Sequence, residues 1–196
     1  MPKTLISTPY DVSVHGAVSN VDITSGIDST YDVYEFHFYN IHSENDSVEF
    51  TFQMNAASGS NTSGFDQVIT SGWFEAYQRE GGTETEFAWR VVWDDNLVHQ
   101  YEGTAPQSIS RDHYNDGNDS SMSGILTIYA PWNTTYVKHF AGLTSNMMGA
   151  ITGNGAYANS AYTFGYINAE EAMDEISFKF TGGDIDSGKI KMFGVK

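Results

Sequence analysis

The sequence predicts an all-β protein, an antiparallel two-sheet sandwich of the jelly-roll kind. Three observations predict it. Apolar and polar residues alternate with period two in segment after segment, which puts one side of each strand in a core and the other in water. The chain has 12 Tyr, 12 Phe and 4 Trp, side chains that suit pleated sheets better than helices. It also has 19 Gly, as many short strands joined by tight turns require. A closed barrel with a ligand lumen is the second architecture that fits.

The elements follow in order. Residues 1–20 read as an N-terminal arm and residues 21–196 as one sandwich domain. Tyr31 to Tyr39 is the clearest strand, with Tyr34, Phe36 and Phe38 on one face and Val33, Glu35 and His37 on the other. A polar loop, 42–47, leads to Val48, Phe50, Phe52 and Met54, alternating with Glu49, Thr51 and Gln53. Two such strands around a short loop predict an antiparallel hairpin. Its wet face would carry Glu35 and Glu49 as neighbours.

Phe65 to Arg79 reads as a short helix or irregular segment, because Phe65, Ile69, Trp73, Phe74 and Tyr77 approach a helical stripe. Strands are expected at Phe87–Trp93 and Leu97–Tyr101, and an exposed loop at Pro106–Ser121. In the C-terminal half they are expected at Ser123–Ala130, Thr135–Phe140, Ala161–Ile167, Glu175–Phe180 and Lys189–Val195. The predicted core is Tyr34, Phe36, Phe38, Phe50, Phe52, Ile176, Phe178 and Phe180.

Charge and motifs narrow the function. The formal net charge is −16, with nine scattered basic residues, so no Lys/Arg patch faces a nucleic acid. No apolar run approaches the ~20 residues of a membrane span, and no membrane insertion is expected. The absence of cysteine removes disulfides and thiolate chemistry. Gly-x-Ser-x-Gly, Gly-x-x-x-x-Gly-Lys and His-Glu-x-x-His are all missing, so no catalytic residue and no enzyme activity is expected. The six histidines show no i, i+2 or i, i+4 pair of the kind that grips a metal.

Oxygen ligands are densest at Asp112–Asp119, where Gly117 would let a loop wrap a structural calcium ion. Tyr114 and the missing twelfth-position Glu argue for a solvated turn instead, and no cofactor is expected. Asp184 and Asp186 share a face and read the same way. Trp73, Trp89, Trp93 and Trp132 are the residues with which a sugar-stacking platform could be built.

Several motifs resemble a family of small structural proteins of tailed bacteriophages from marine and freshwater bacteria. They are Asp28–Phe36, Asn40–Asp46, Phe50–Ala57, Thr135–Phe140, Gly165–Asn168, Met173–Lys179 and Gly188–Lys196. Residues 79–120 match poorly. The resemblance implies a virion protein, assembled in the host cytoplasm, with no catalytic residues to carry over. The expected role is a capsid or head decoration (cement) protein, a symmetric homo-oligomer with a trimer as the expected state, bound to other virion proteins. The alternative is a tail fibre or receptor-binding, lectin-like protein that contacts host surface glycans. Contacts are expected from Leu5, Ile6 and Tyr10 of the arm and from the loop aromatics Trp132 and Tyr157.

Overall fold

The structure, a computed structural model, describes residues 2–58, 64–82, 85–89, 99–111, 120–148 and 156–196. Its elements are β1 (Lys3–Asp11), α1 (Val12–His15), β2 (Val21–Ile23), β3 (Val33–Ser43), β4 (Phe50–Asn55), β5 (Ile69–Arg79) and β6 (Thr85–Trp89). Then come β7 (Gln107–Ser108), β8 (Met122–Tyr129), β9 (Lys138–Met148), β10 (Tyr157–Ile167), β11 (Glu175–Phe180) and β12 (Ile185–Val195). Two antiparallel sheets pack as a sandwich. The larger has eight strands in the order β1-β12-β3-β8-β9-β10-β5-β6, and the smaller has four in the order β2-β11-β4-β7. Both sheets are open, so the barrel alternative does not apply.

The core forms where the alternation predicts. Tyr34, Phe36 and Phe38 of β3 face Phe50 and Phe52 of β4 and Ile176, Phe178 and Phe180 of β11, and all are buried. Phe178 is the hub: its ring centroid lies 5.3 Å from those of Phe36 and Phe38 and 6.0 Å from that of Phe50. These rings interlock in offset and edge-on poses, the arrangements that aromatic quadrupoles favour.

The predicted hairpin is not one. β3 pairs with β12 and β8, whereas β4 pairs with β11 and β7 in the other sheet. The 44–49 connection therefore crosses between layers. Glu49 is accordingly not on a wet face beside Glu35. It is buried and accepts a hydrogen bond from the Ser108 hydroxyl.

Residues 69–79 form a strand, β5, rather than a helix. The expected exposed loop at 106–121 is largely interior where it is described: Gln107, Ser108, Ile109, Ser110 and Ser120 are buried. Its start zips onto β4, with the Ile109 N–H donating to the Phe50 carbonyl at 2.9 Å and the Phe50 N–H to the Ser110 hydroxyl at 2.9 Å. Residues 99–101 are not a strand, and 90–93 and 97–98 lie outside the described residues. β9 begins at Lys138 rather than Thr135, because the Asn133 side chain caps a turn by accepting from the Thr135 and Tyr136 N–H groups at 2.7 and 2.9 Å.

The segment expected as an arm is built into the sandwich. β1 is the edge of the large sheet, paired with β12 from Lys3↔Val195 to Asp11↔Lys189. Tyr10 is 1% exposed, and its hydroxyl lies 2.9 Å from the Ile185 carbonyl oxygen and 3.1 Å from that of Gly16. Burial, aided by Asp186, Asp11 and Asp184, pushes its pKa up to about 12, so it stays a neutral donor. Removing residues 1–12 would strip an edge strand and a core ring, not a free tether.

Two ion pairs pin β1: Lys3 with Glu35 at 2.5 Å and Lys189 with Asp11 at 2.6 Å. Hydrogen bonds from Lys189 and then Ser13 hold the Asp11 carboxyl at about 2, below its ordinary 3.8. Burial pushes Glu35 upward, but Lys3 and His37 outweigh it and leave the carboxyl below its ordinary value. Both folded pKa values are depressed. Their stabilisation is therefore present above the ordinary carboxylate range and is lost as pH falls through it. Urea midpoints should drop as pH goes from about 4 toward about 2, and Lys189→Met should flatten part of that drop. An unchanged slope in the variant would exclude the Asp11 pin.

Candidate functional site

Side chains on one face of a sheet line up across strands, so register decides which of them meet. On the outer face of the large sheet one row runs Phe74, Tyr162, Leu143, Ile125, His37 and Lys191. The row beside it runs Gly72, Phe164, Ala141, Thr127, Glu35 and Phe193, and ends at Leu5 on β1. Nothing among the described residues covers this face. Leu143 is 57% exposed, Phe87 73% and Leu5 51%. The rings of Phe87, Phe74, Tyr162 and Phe164 touch in series, with Phe74 stacked on Tyr162 at 4.8 Å.

Charge is kept off the same face. Of 25 acidic residues in the chain, the single one turned outward on β3, β8, β9, β10 and β5 is Glu35, which pairs with Lys3 at 2.5 Å and lies 2.8 Å from the His37 ring. The outer surface thus changes from ionic at β1, β12 and β3 to apolar and aromatic at β9, β10 and β5.

At the β5 end the face deepens into a groove of about 580 Å³. Thr70, Phe164, Tyr166 and His139 form its floor, and His99 and Tyr101 its side wall. The wall is fixed to β5 by backbone bonds: Ile69 and Gly103 exchange N–H···O=C bonds at 2.7 and 3.1 Å, and the Ser71 N–H donates to the Gln100 carbonyl at 3.1 Å. Gly72 makes room for the floor, since a Cβ there would stand 2.7 Å from the Phe164 ring.

The inner face of β9, β10 and β5 differs again. There Glu75 is buried and paired with Arg111 at 2.6 Å, and the Asn159 amide donates to it at 3.1 Å. Asn146 lies opposite Asn159, and neither polar atom of its side chain has a partner. Arg111 directly precedes residues 112–119. The calcium loop considered from sequence falls there, outside the described residues.

The expected contact residues scatter. Leu5 is on the exposed outer face, Ile6 packs against the core and Tyr10 is inside it. Trp132 is half-buried and donates its indole N–H to the Tyr31 carbonyl at 3.0 Å. Tyr157 meets Tyr77 edge-on at 5.7 Å. Of the tryptophans considered for a sugar platform, Trp73 is wholly buried and Trp132 anchors a loop, while Trp93 and the Trp89 side chain lie outside what the structure describes. Asp186 pairs with His42 at 2.6 Å instead of sharing a cation with Asp184. Among the described residues no group of three His, Asp or Glu side chains could hold a metal ion, and no helix is long and apolar enough to cross a membrane.

The residues missed from sequence are Tyr162, Phe164 and Tyr166. Their alternation with Ala161, Thr163 and Gly165 was visible, but the small residues face inward and the rings outward. Compared with known protein families, curated proteins and solved structures, the chain has no match.

Proposed function

We propose that this protein is a structural subunit on the exterior of a tailed-phage particle, a capsid decoration protein that works as a symmetric homo-oligomer, with a trimer as the expected state. The observation that carries the reading is the apolar outer face of the large sheet, which none of the described residues covers. Monomeric proteins rarely expose a contiguous apolar patch beyond a few hundred Å², and a larger one marks a contact surface. A net charge of −16 makes copies repel. Keeping that face nearly free of carboxylates removes the repulsion where copies would meet. The phage-like motifs supply the setting, and the acidic remainder of the surface suits an exposed position on a particle.

Light scattering should give a mass three times the 21.7 kDa of the chain. Leu143→Glu places an unpaired charge in the middle of the face and should give a monomer with an unchanged circular dichroism spectrum. Mass spectrometry of purified virions should find the protein. A monomeric wild type that is absent from virions would end this reading.

A further inference from the structure

We infer that the groove at the β5 end of the outer face is a saccharide-binding site, for a short neutral oligosaccharide. Among the described residues its lining has no carboxylate, ammonium or guanidinium group, in a chain with 25 acidic residues. An ionic ligand would find no counter-charge there. A lipid tail would take the Tyr166 hydroxyl and the His139 imidazole out of water, at a cost. A neutral sugar presents both things the groove offers: flat C–H faces for rings, and hydroxyls that donate and accept.

The rings are Tyr162 and Phe164, with centroids 6.0 Å apart, and Tyr166, which meets His139 at 6.1 Å. Aromatic side chains with a polar tip suit a ligand that is apolar on one face and wet at its edge. The polar partners are the Tyr166 and Tyr101 hydroxyls and the His139 imidazole. The Thr70 hydroxyl is buried beneath the floor and has no hydrogen-bond partner.

The groove is also pre-built. Three adjacent strands carry its floor, and the wall's Gln100 amide donates to the Ala105 carbonyl at 2.9 Å. Little ordering entropy remains for a ligand to offset. The volume is within the range of small-ligand sites. Tyr101, 86% exposed, stands at the rim where it can close over a bound ring. His139 and Tyr166 lie four residues along their strands from Leu143 and Tyr162, about 13 Å away. The end of the groove at Tyr166, His139 and Tyr101 is therefore set apart from Leu143, which is the cross-strand neighbour of Tyr162 at the other end.

The test uses the full chain on an array of neutral and acidic glycans, followed by calorimetric titration of the best-retained neutral oligosaccharide. Expected is retention of neutral glycans, with Tyr166→Ala and Tyr101→Ala each weakening binding about tenfold or more. Tyr101 is exposed, so its variant keeps the fold even if Tyr166→Ala does not. Leu5→Glu, on the same face but at the opposite edge of the sheet, should bind as the wild type does, which separates this site from the proposed assembly. Retention of acidic glycans alone, no retention at all, or full affinity in both tyrosine variants would overturn the proposal. So would dissociation of an oligomer by Tyr101→Ala, which would make the groove a contact between copies.

Discussion

Phe178→Ala should lower the unfolding free energy by about 3–5 kcal/mol, read from urea midpoints. The side chain is fully buried and its ring touches Phe36 and Phe38 of one sheet and Phe50 of the other. Its removal therefore opens a cavity that neither layer can fill by shifting alone. β11, which carries it, is hydrogen-bonded on both sides, to β2 and β4, so its backbone cannot sink inward. Domains of this kind hold about 5–15 kcal/mol in all, and the variant would be near the edge of folding. A loss below about 1 kcal/mol would mean that this ring is not the centre of the sandwich.

Glu75→Ala should cost a comparable amount, about 3–5 kcal/mol, for an electrostatic reason. The carboxylate is wholly buried, and its loss leaves the Arg111 guanidinium without its counter-charge and the Asn159 N–H without its acceptor. An uncompensated charge in that interior costs more than the pair itself contributes. The double replacement Glu75→Met with Arg111→Met should therefore recover most of the loss in the same urea titration. If the double variant is less stable than Glu75→Ala, the pair stabilises the fold outright and this account fails.

The period-two pattern reads faces well and partners poorly. Tyr34, Phe36 and Phe38 alternate in the same way whether Phe50 lies beside them in one sheet or across from them in the other. The core was legible for that reason, and the hairpin was misassigned for the same one. β5 was hidden because rings occupy both of its faces: Trp73 inward with Glu75, Phe74 outward. Such a strand has no clean alternation, and its spacing mimics a helical stripe. β10 shows the opposite failure. Its pattern is clean, yet nothing in one strand says which side is the core. The smaller sheet covers only part of the larger one, and the polar inward residues at that end, Asn146, Asn159 and Glu75, belong to an interior that alternation alone assigns to solvent. The groove wall at 99–103 has no periodic signal, because its place beside β5 comes from long-range backbone bonds.

The place of β12 in the large sheet bears on biosynthesis. It lies between β1 and β3, so the slot between an early strand and a middle one stays empty until residues 185–195 have been made. A nascent chain on the ribosome would carry both flanking strands with open edges, and β1 would have no partner at all. Such edges invite pairing with strangers. Docking of β1 must wait for β12 and then close contacts of long sequence separation, a slow event for a non-local β topology. A chain truncated before Ile185 should therefore aggregate rather than merely lose stability.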